Sequence, residues 1–95
     1  MILWVDDLRQ PPQGSYYWAK SVNIAKEAIG AVKFEYIDID HDAGDYAYDG
    51  GDYIRLLDWM EEKGINYPIR IHSMNSVGRM NMQAIAEHNG WRIIP

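Results

Sequence analysis

Ile2-Leu3-Trp4-Val5-Asp6-Asp7 is a run of four apolar residues stopped by two carboxylates. An unbroken apolar run this short suggests a strand buried on both faces, as in a parallel sheet. The same punctuation returns further along. Phe34, Tyr36, Ile37 and Ile39 form a second strand-like stretch that ends at Asp40, His41 and Asp42, and residues 68–71 form a third that ends at His72 and Ser73. Polar, chemically capable side chains therefore stand where three apolar segments run out.

Helical periodicity fills the intervals. Ser21 is a fitting cap for a helix over residues 22–29, with Val22, Ala25, Ala28 and Ile29 on one side and Gly30 closing it. Tyr53, Ile54, Leu57 and Met60 give an amphipathic helix over residues 52–63, closed by Gly64. Residues 78–88 make the last helix, ended by Asn89 and Gly90, and residues 91–94 a final short strand. Residues 16–20 read as another short strand. Pro11, Pro12 and Gly14 make residues 8–15 a loop. Trp4, Trp59 and Trp91 lie in regular elements and are expected in the core. Alternating strands and helices imply parallel pairing through right-handed crossovers. In such sheets ligands bind beyond the carboxyl ends of the strands.

Ninety-five residues with 47% apolar side chains suffice for one domain, residues 1–95, with one modest core. The net charge of -5, from 14 acidic and 9 basic residues, opposes binding to extended duplex nucleic acid. A small phosphorylated nucleotide or a strand end needs only a local cationic or metal-filled pocket and stays open. No cysteine is present, which removes thiolate chemistry and thiolate zinc sites and fits a reducing cytoplasm. Residues 2–5 are too short for a signal or a membrane span, so a cytoplasmic protein is expected.

Asp6, Asp7 and Asp40 would bring several carboxylates to one rim, where like charges raise one another's pKa or recruit a cation. With oxygen ligands and no sulfur, magnesium or manganese is the natural divalent occupant; solvated acids capping strands are the plainer alternative. His41 and His72 adjoin strand ends, and imidazoles so placed can serve as general base and acid in phosphodiester hydrolysis, or simply hold a phosphate. Ser73, Asn75, Ser76 and Gly78 precede or open a helix, where free amides favour an anion; ordinary capping by Asn75 or Ser76 is equally consistent with them. Arg9 and Arg79 could give fixed charge to phosphate oxygens, or lie on the surface. Tyr46, Tyr48 and Tyr53 around Gly50 and Gly51 suggest a lid, with core packing the alternative for Tyr53.

VDDLRQPP, IDIDHDAG, YDGGDY and IHSMNSVGRMNM together resemble the landmarks of the cyclic-phosphate-processing receiver-like domains. The resemblance implies a small receiver-like three-layer α/β sandwich, its five-stranded, mainly parallel sheet in order 2-1-3-4-5 and helices on both faces. It also implies activity on cyclic phosphates, including those at RNA ends. Position by position, Asp6 and Asp7 resemble the receiver acidic pair, Asp40 the phosphoacceptor, Ser73 the hydroxyl after strand four, and His41 and His72 the added histidines of the family. The chain departs from a signalling receiver in having no basic residue at the end of strand five and no final helix. The leading expectation is hydrolysis of a cyclic or terminal phosphate. A non-catalytic binder that sequesters a phosphorylated nucleotide, or a degenerate receiver used for protein contacts, are the alternatives.

Overall fold

Every strand of the chain runs in the same direction. The computed structural model describes residues 1–95. The elements are β1 (Ile2–Val5), β2 (Tyr16–Ala19), α1 (Val22–Ala31), β3 (Ile37–Ile39), a 3-10 turn (Gly44–Tyr46), α2 (Ile54–Lys63), β4 (Ile69–Ile71) and α3 (Ser76–His88). The four strands form one sheet in order β2-β1-β3-β4. Leu3 stands opposite Tyr17 on one side and Ile37 on the other, and Ile37 stands opposite Ile69.

Local chemistry explains the helix ends. Ser21 is extended and accepts the Ile24 amide on its hydroxyl, which starts α1. Asn75 does the same for α3 by accepting the Gly78 amide at 2.9 Å. Gly64 closes α2 in the left-handed region, at φ 69°, with its N–H turned back to Glu61 and Met60. Gly30 does not close α1 as the sequence suggests: the helix continues through it to Ala31, and the Val32 amide still reaches Ala28.

α2 packs between α1 and α3, so the three helices make a single layer. Leu3, Val5, Ile37, Ile39, Ile69 and Ile71 meet that layer in one core with Val22, Leu56, Leu57, Met60 and Met82. Burying each large aliphatic side chain contributes roughly 1.5–3 kcal/mol. Alternate strand residues turn to the other face: Trp4 and Asp38 are buried there and Arg70 is half-buried. No helix covers that face.

Three parts of the expected architecture are thereby corrected. The sheet is four-stranded, not five-stranded in order 2-1-3-4-5, and the last regular element is the C-terminal helix α3 rather than a strand with the final helix absent. Residues 91–94 contribute one isolated bridge, Ile93 to Ile69. Past that bridge the outward carbonyl of Ile71 in β4 accepts the Arg79 guanidinium at 3.0 Å. Trp91 is buried in the core, its indole N–H donating to Asn66, which explains why these residues look strand-like. The domain is also not a three-layer sandwich. β1 leads to β2 through a loop in which Pro11 and Pro12 interrupt any helix, so that crossover delivers no helix to the second face. No helix is long and apolar enough to cross a membrane.

Candidate functional site

Parallel pairing brings the ends of all four strands to one rim. The Asp6 amide donates to Ala19, the Asp40 amide to Val5 and the His72 amide to Ile39, so each residue just past its strand is locked to the neighbouring strand. This is why acids separated by more than thirty positions meet: one oxygen each from Asp6, Asp7 and Asp40 lies within 4.8 Å of the others. Three hard oxygen donors that close form a cluster that could coordinate a divalent metal.

The three carboxylates are held differently. Burial alone would raise the pKa of Asp6, but the Arg9 and Leu8 amides and His72 outweigh it and hold the carboxyl below its usual range. Those amides donate to Oδ1 at 2.8 and 2.9 Å. Asp7 is pushed the other way, chiefly by burial and then by the charges of Asp6 and Asp40. Its Oδ2 lies against Gly44, whose φ of 54° suits glycine and where a Cβ would collide with the carboxylate. Asp40 accepts the His41 amide on Oδ1 at 2.8 Å. Beneath the cluster, Tyr53 is fully buried, and its hydroxyl donates to the Lys20 carbonyl at 2.7 Å. Burial and the charges of Asp7, Asp6 and Asp40 raise its pKa well above the ordinary phenol range, so it stays a neutral donor.

His41 stands beside the acids with its ring laid over Gly78 in the first turn of α3, where any Cβ would overlap the imidazole. Asp42 lies 2.7 Å from Nδ1. An ionised carboxylate only accepts, so Nδ1 is the donor and Nε2 is left without a protein partner. Asn75 contributes a longer contact to Asp42, at 3.4 Å.

His72 is placed otherwise. Its side chain is 6% exposed, Nε2 meets Asp6 Oδ2 at 2.9 Å and Nδ1 meets Asp38 Oδ1 at 2.6 Å, so both nitrogens are engaged away from the open rim. Ser73 is buried and its hydroxyl accepts the Asn75 amide at 3.1 Å. Arg79 is turned under the sheet edge toward the Ile71 and Ser73 carbonyls. Arg9 is exposed, its guanidinium touching only the His72 carbonyl at 3.5 Å. The rim thus brings together Asp6, Asp7, Asp40, His41, Asn75 and Gly78, while Arg79 lies beneath it. The tyrosine segment is tied to its surroundings on the side of Asp49 and Asp52. Asp49 accepts from Ser21 and Asn23 of α1, Asp52 accepts the Ala43 amide, and Tyr53 is core, which leaves Tyr48 as the exposed ring.

Sequence reasoning passed over Asp38 and Arg70. Each is a charge between two isoleucines in a strand, a period-two pattern that marks a residue on the face opposite the core. Lys20 is a third: it stands just past β2, with its ammonium 4.7 Å from the centre of the Trp18 ring and 5.8 Å from that of Tyr46.

No curated protein and no solved structure matches the chain. One protein-family model does, over residues 1–88, and its description is the cyclic-phosphate processing receiver domain. With all four strands, all three helices and the whole acidic rim inside that match, the chain belongs to the cyclic-phosphate processing receiver domain family.

Proposed function

We propose that the protein hydrolyses a cyclic or terminal phosphate on a nucleotide or RNA end at the carboxyl rim of the sheet. The observation that carries this reading is the meeting, in a member of this family, of three clustered carboxylates with an imidazole whose Nε2 is free. Asp6, Asp7 and Asp40 would hold magnesium or manganese, an ion that supplies positive charge to the phosphate oxygens as negative charge develops on them.

The remaining work falls to the chain. His41, oriented by Asp42, takes a proton from the attacking water at Nε2 as the new P–O bond forms. The ring P–O bond breaks, and the same imidazole returns the proton to the leaving ribose oxygen. Ser76 and Val77 open α3, where amides have no partner within the helix and can face a phosphate oxygen. Arg9 can swing to a second oxygen. His72 holds Asp6 in place.

Turnover decides between hydrolysis and sequestration. A panel of 2',3'-cyclic and 3',5'-cyclic nucleotides and RNA with cyclic-phosphate ends is expected to include a substrate opened only when magnesium or manganese is supplied. Tight binding without any change in the ligand would reassign the protein as a sequestering one. Gly78→Ala tests the imidazole without altering it. The new methyl group displaces the His41 ring, and a misplaced group costs on the order of a hundredfold in rate, while alanine favours the helix by about 0.5–1 kcal/mol. Kinetics should therefore show slower turnover, with thermal melts establishing that the variant is still folded. Wild-type rates in Gly78→Ala would mean that the observed ring position is not the reacting one.

A further inference from the structure

We infer that Asp38 sets the cation selectivity of the rim by acting through His72 on Asp6, an inference that rests on reading the rim as a divalent-cation site. Asp38 touches nothing at the rim. It lies in the middle of β3 on the face no helix covers, 2% exposed, and its Oδ1 meets His72 Nδ1 at 2.6 Å. Arg70 Nη1 donates to both of its oxygens, at 3.1 and 3.4 Å. The His72 ring lies flat on Trp4, centroids 4.0 Å apart and planes 4° from parallel, which restrains it from tilting. From that fixed ring Nε2 reaches Asp6 Oδ2 at 2.9 Å.

The consequence is a count of lone pairs on Asp6. A carboxylate offers about four acceptor positions. Oδ1 uses two for the Leu8 and Arg9 amides, and Oδ2 uses one for His72. One position on Oδ2 remains for a cation. Asp6 is therefore a single-oxygen ligand held in one orientation, and binding through both oxygens would displace one of the hydrogen bonds donated by the Leu8 and Arg9 amides. Calcium takes 6–8 oxygens in flexible geometry, often with bidentate carboxylates, whereas magnesium wants single oxygens in a near-ideal octahedron. Manganese belongs with magnesium in this respect. A rigid, one-oxygen Asp6 thus selects against calcium. Asp38 is a positioning residue: it keeps His72 aimed, and His72 keeps Asp6 from opening to a larger ion.

The test reads a ratio of affinities in the whole chain and needs no substrate. Bound Mn2+ is followed by electron paramagnetic resonance, and Ca2+ is titrated in until half is displaced. The wild type should require Ca2+ in excess over Mn2+ by roughly tenfold or more, and Asp38→Asn and His72→Ala should each reduce that excess by roughly tenfold, the usual scale for groups that orient a ligand. Both variants are compared as folded protein by circular dichroism. His72→Gln, whose amide N–H can still reach Asp6, should recover part of the preference. Arg70→Met removes the other partner of Asp38 and should lower the melting temperature with the ratio near wild type. A preference that falls equally in Arg70→Met overturns the assignment to the His72 path. An unchanged ratio in Asp38→Asn and His72→Ala, or a wild type that takes Ca2+ as readily as Mn2+, overturns the inference while leaving the cation site standing. Absence of any Mn2+ binding by the wild type removes the cation site and the inference with it.

Discussion

His41→Ala is expected to lower turnover of a cyclic phosphate by roughly a hundredfold or more, the size associated with losing a positioned proton-transfer group. Ligand binding should persist, because the carboxylates and the start of α3 do not depend on the ring. The physical basis is the division of the imidazole: Asp42 fixes Nδ1, and only Nε2 is left to face a reactant. His41→Asn is the informative companion, since an amide keeps a hydrogen bond but cannot carry a proton between water and leaving group. Full turnover in His41→Asn would reduce the histidine to a phosphate holder. Asp42→Asn should cost less than His41→Ala, because its side chain is 62% exposed and solvent competes for Nδ1.

Adding Mg2+ or Mn2+ is expected to raise the melting temperature steeply, and Asp7→Asn and Asp40→Asn should each remove most of the rise. A ligand present at a hundred times its dissociation constant stabilises the folded state by about 2.7 kcal/mol. For a domain of this size each kcal/mol shifts the midpoint by about 4–8 °C. Without cation the sign reverses for Asp7. Its carboxyl titrates above its usual range in the folded state because of burial and the charges of Asp6 and Asp40. The folded protein therefore holds that proton to higher pH than the unfolded chain, and stability is lost as pH rises past the ordinary carboxylate range. In chelator at neutral pH, Asp7→Asn should melt above the wild type, and the gap should close as pH falls through that range. Asp6, whose carboxyl is depressed, works oppositely: its contribution is full above the ordinary range and disappears as pH falls through its lowered value. Equal cation-dependent shifts in wild type and both variants would show that neither Asp7 nor Asp40 is a ligand.

What was legible in the sequence follows from how much of each feature is local. Asp6, Asp7 and Asp40 could be brought to one rim on paper because each directly follows an apolar run, and parallel strands end together. The close of α2 was legible from Gly64, whereas its start, expected at Asp52, falls at Ile54. Residues 91–94 misled because their apolar character reflects Trp91 entering the core and a single bridge at Ile93. His72 read as a rim histidine because it directly follows an apolar, strand-like run. Its actual partners are Asp38 in β3 and Asp6 just past β1, and only the sheet register places them within reach. The layer count failed because it came from the resemblance, while the period-two charges Asp38 and Arg70, which mark a sheet face unlike the core face, were passed over.

A parallel sheet with helices on both faces has little freedom in its strands, which must be apolar throughout. Here the second face carries Trp4, Asp38 and Arg70 in alternation with Leu3, Ile37, Ile39, Ile69 and Ile71. A helix laid across it would seal the Asp38–Arg70 pair into an apolar contact, where desolvation can exceed the attraction between the charges. Arg70, its side chain 42% exposed, instead keeps its guanidinium partly in water while it holds Asp38. Shedding a layer has thus freed the strands to carry different chemistry on their two sides, one that builds the domain and one that fixes the ionic geometry behind the rim.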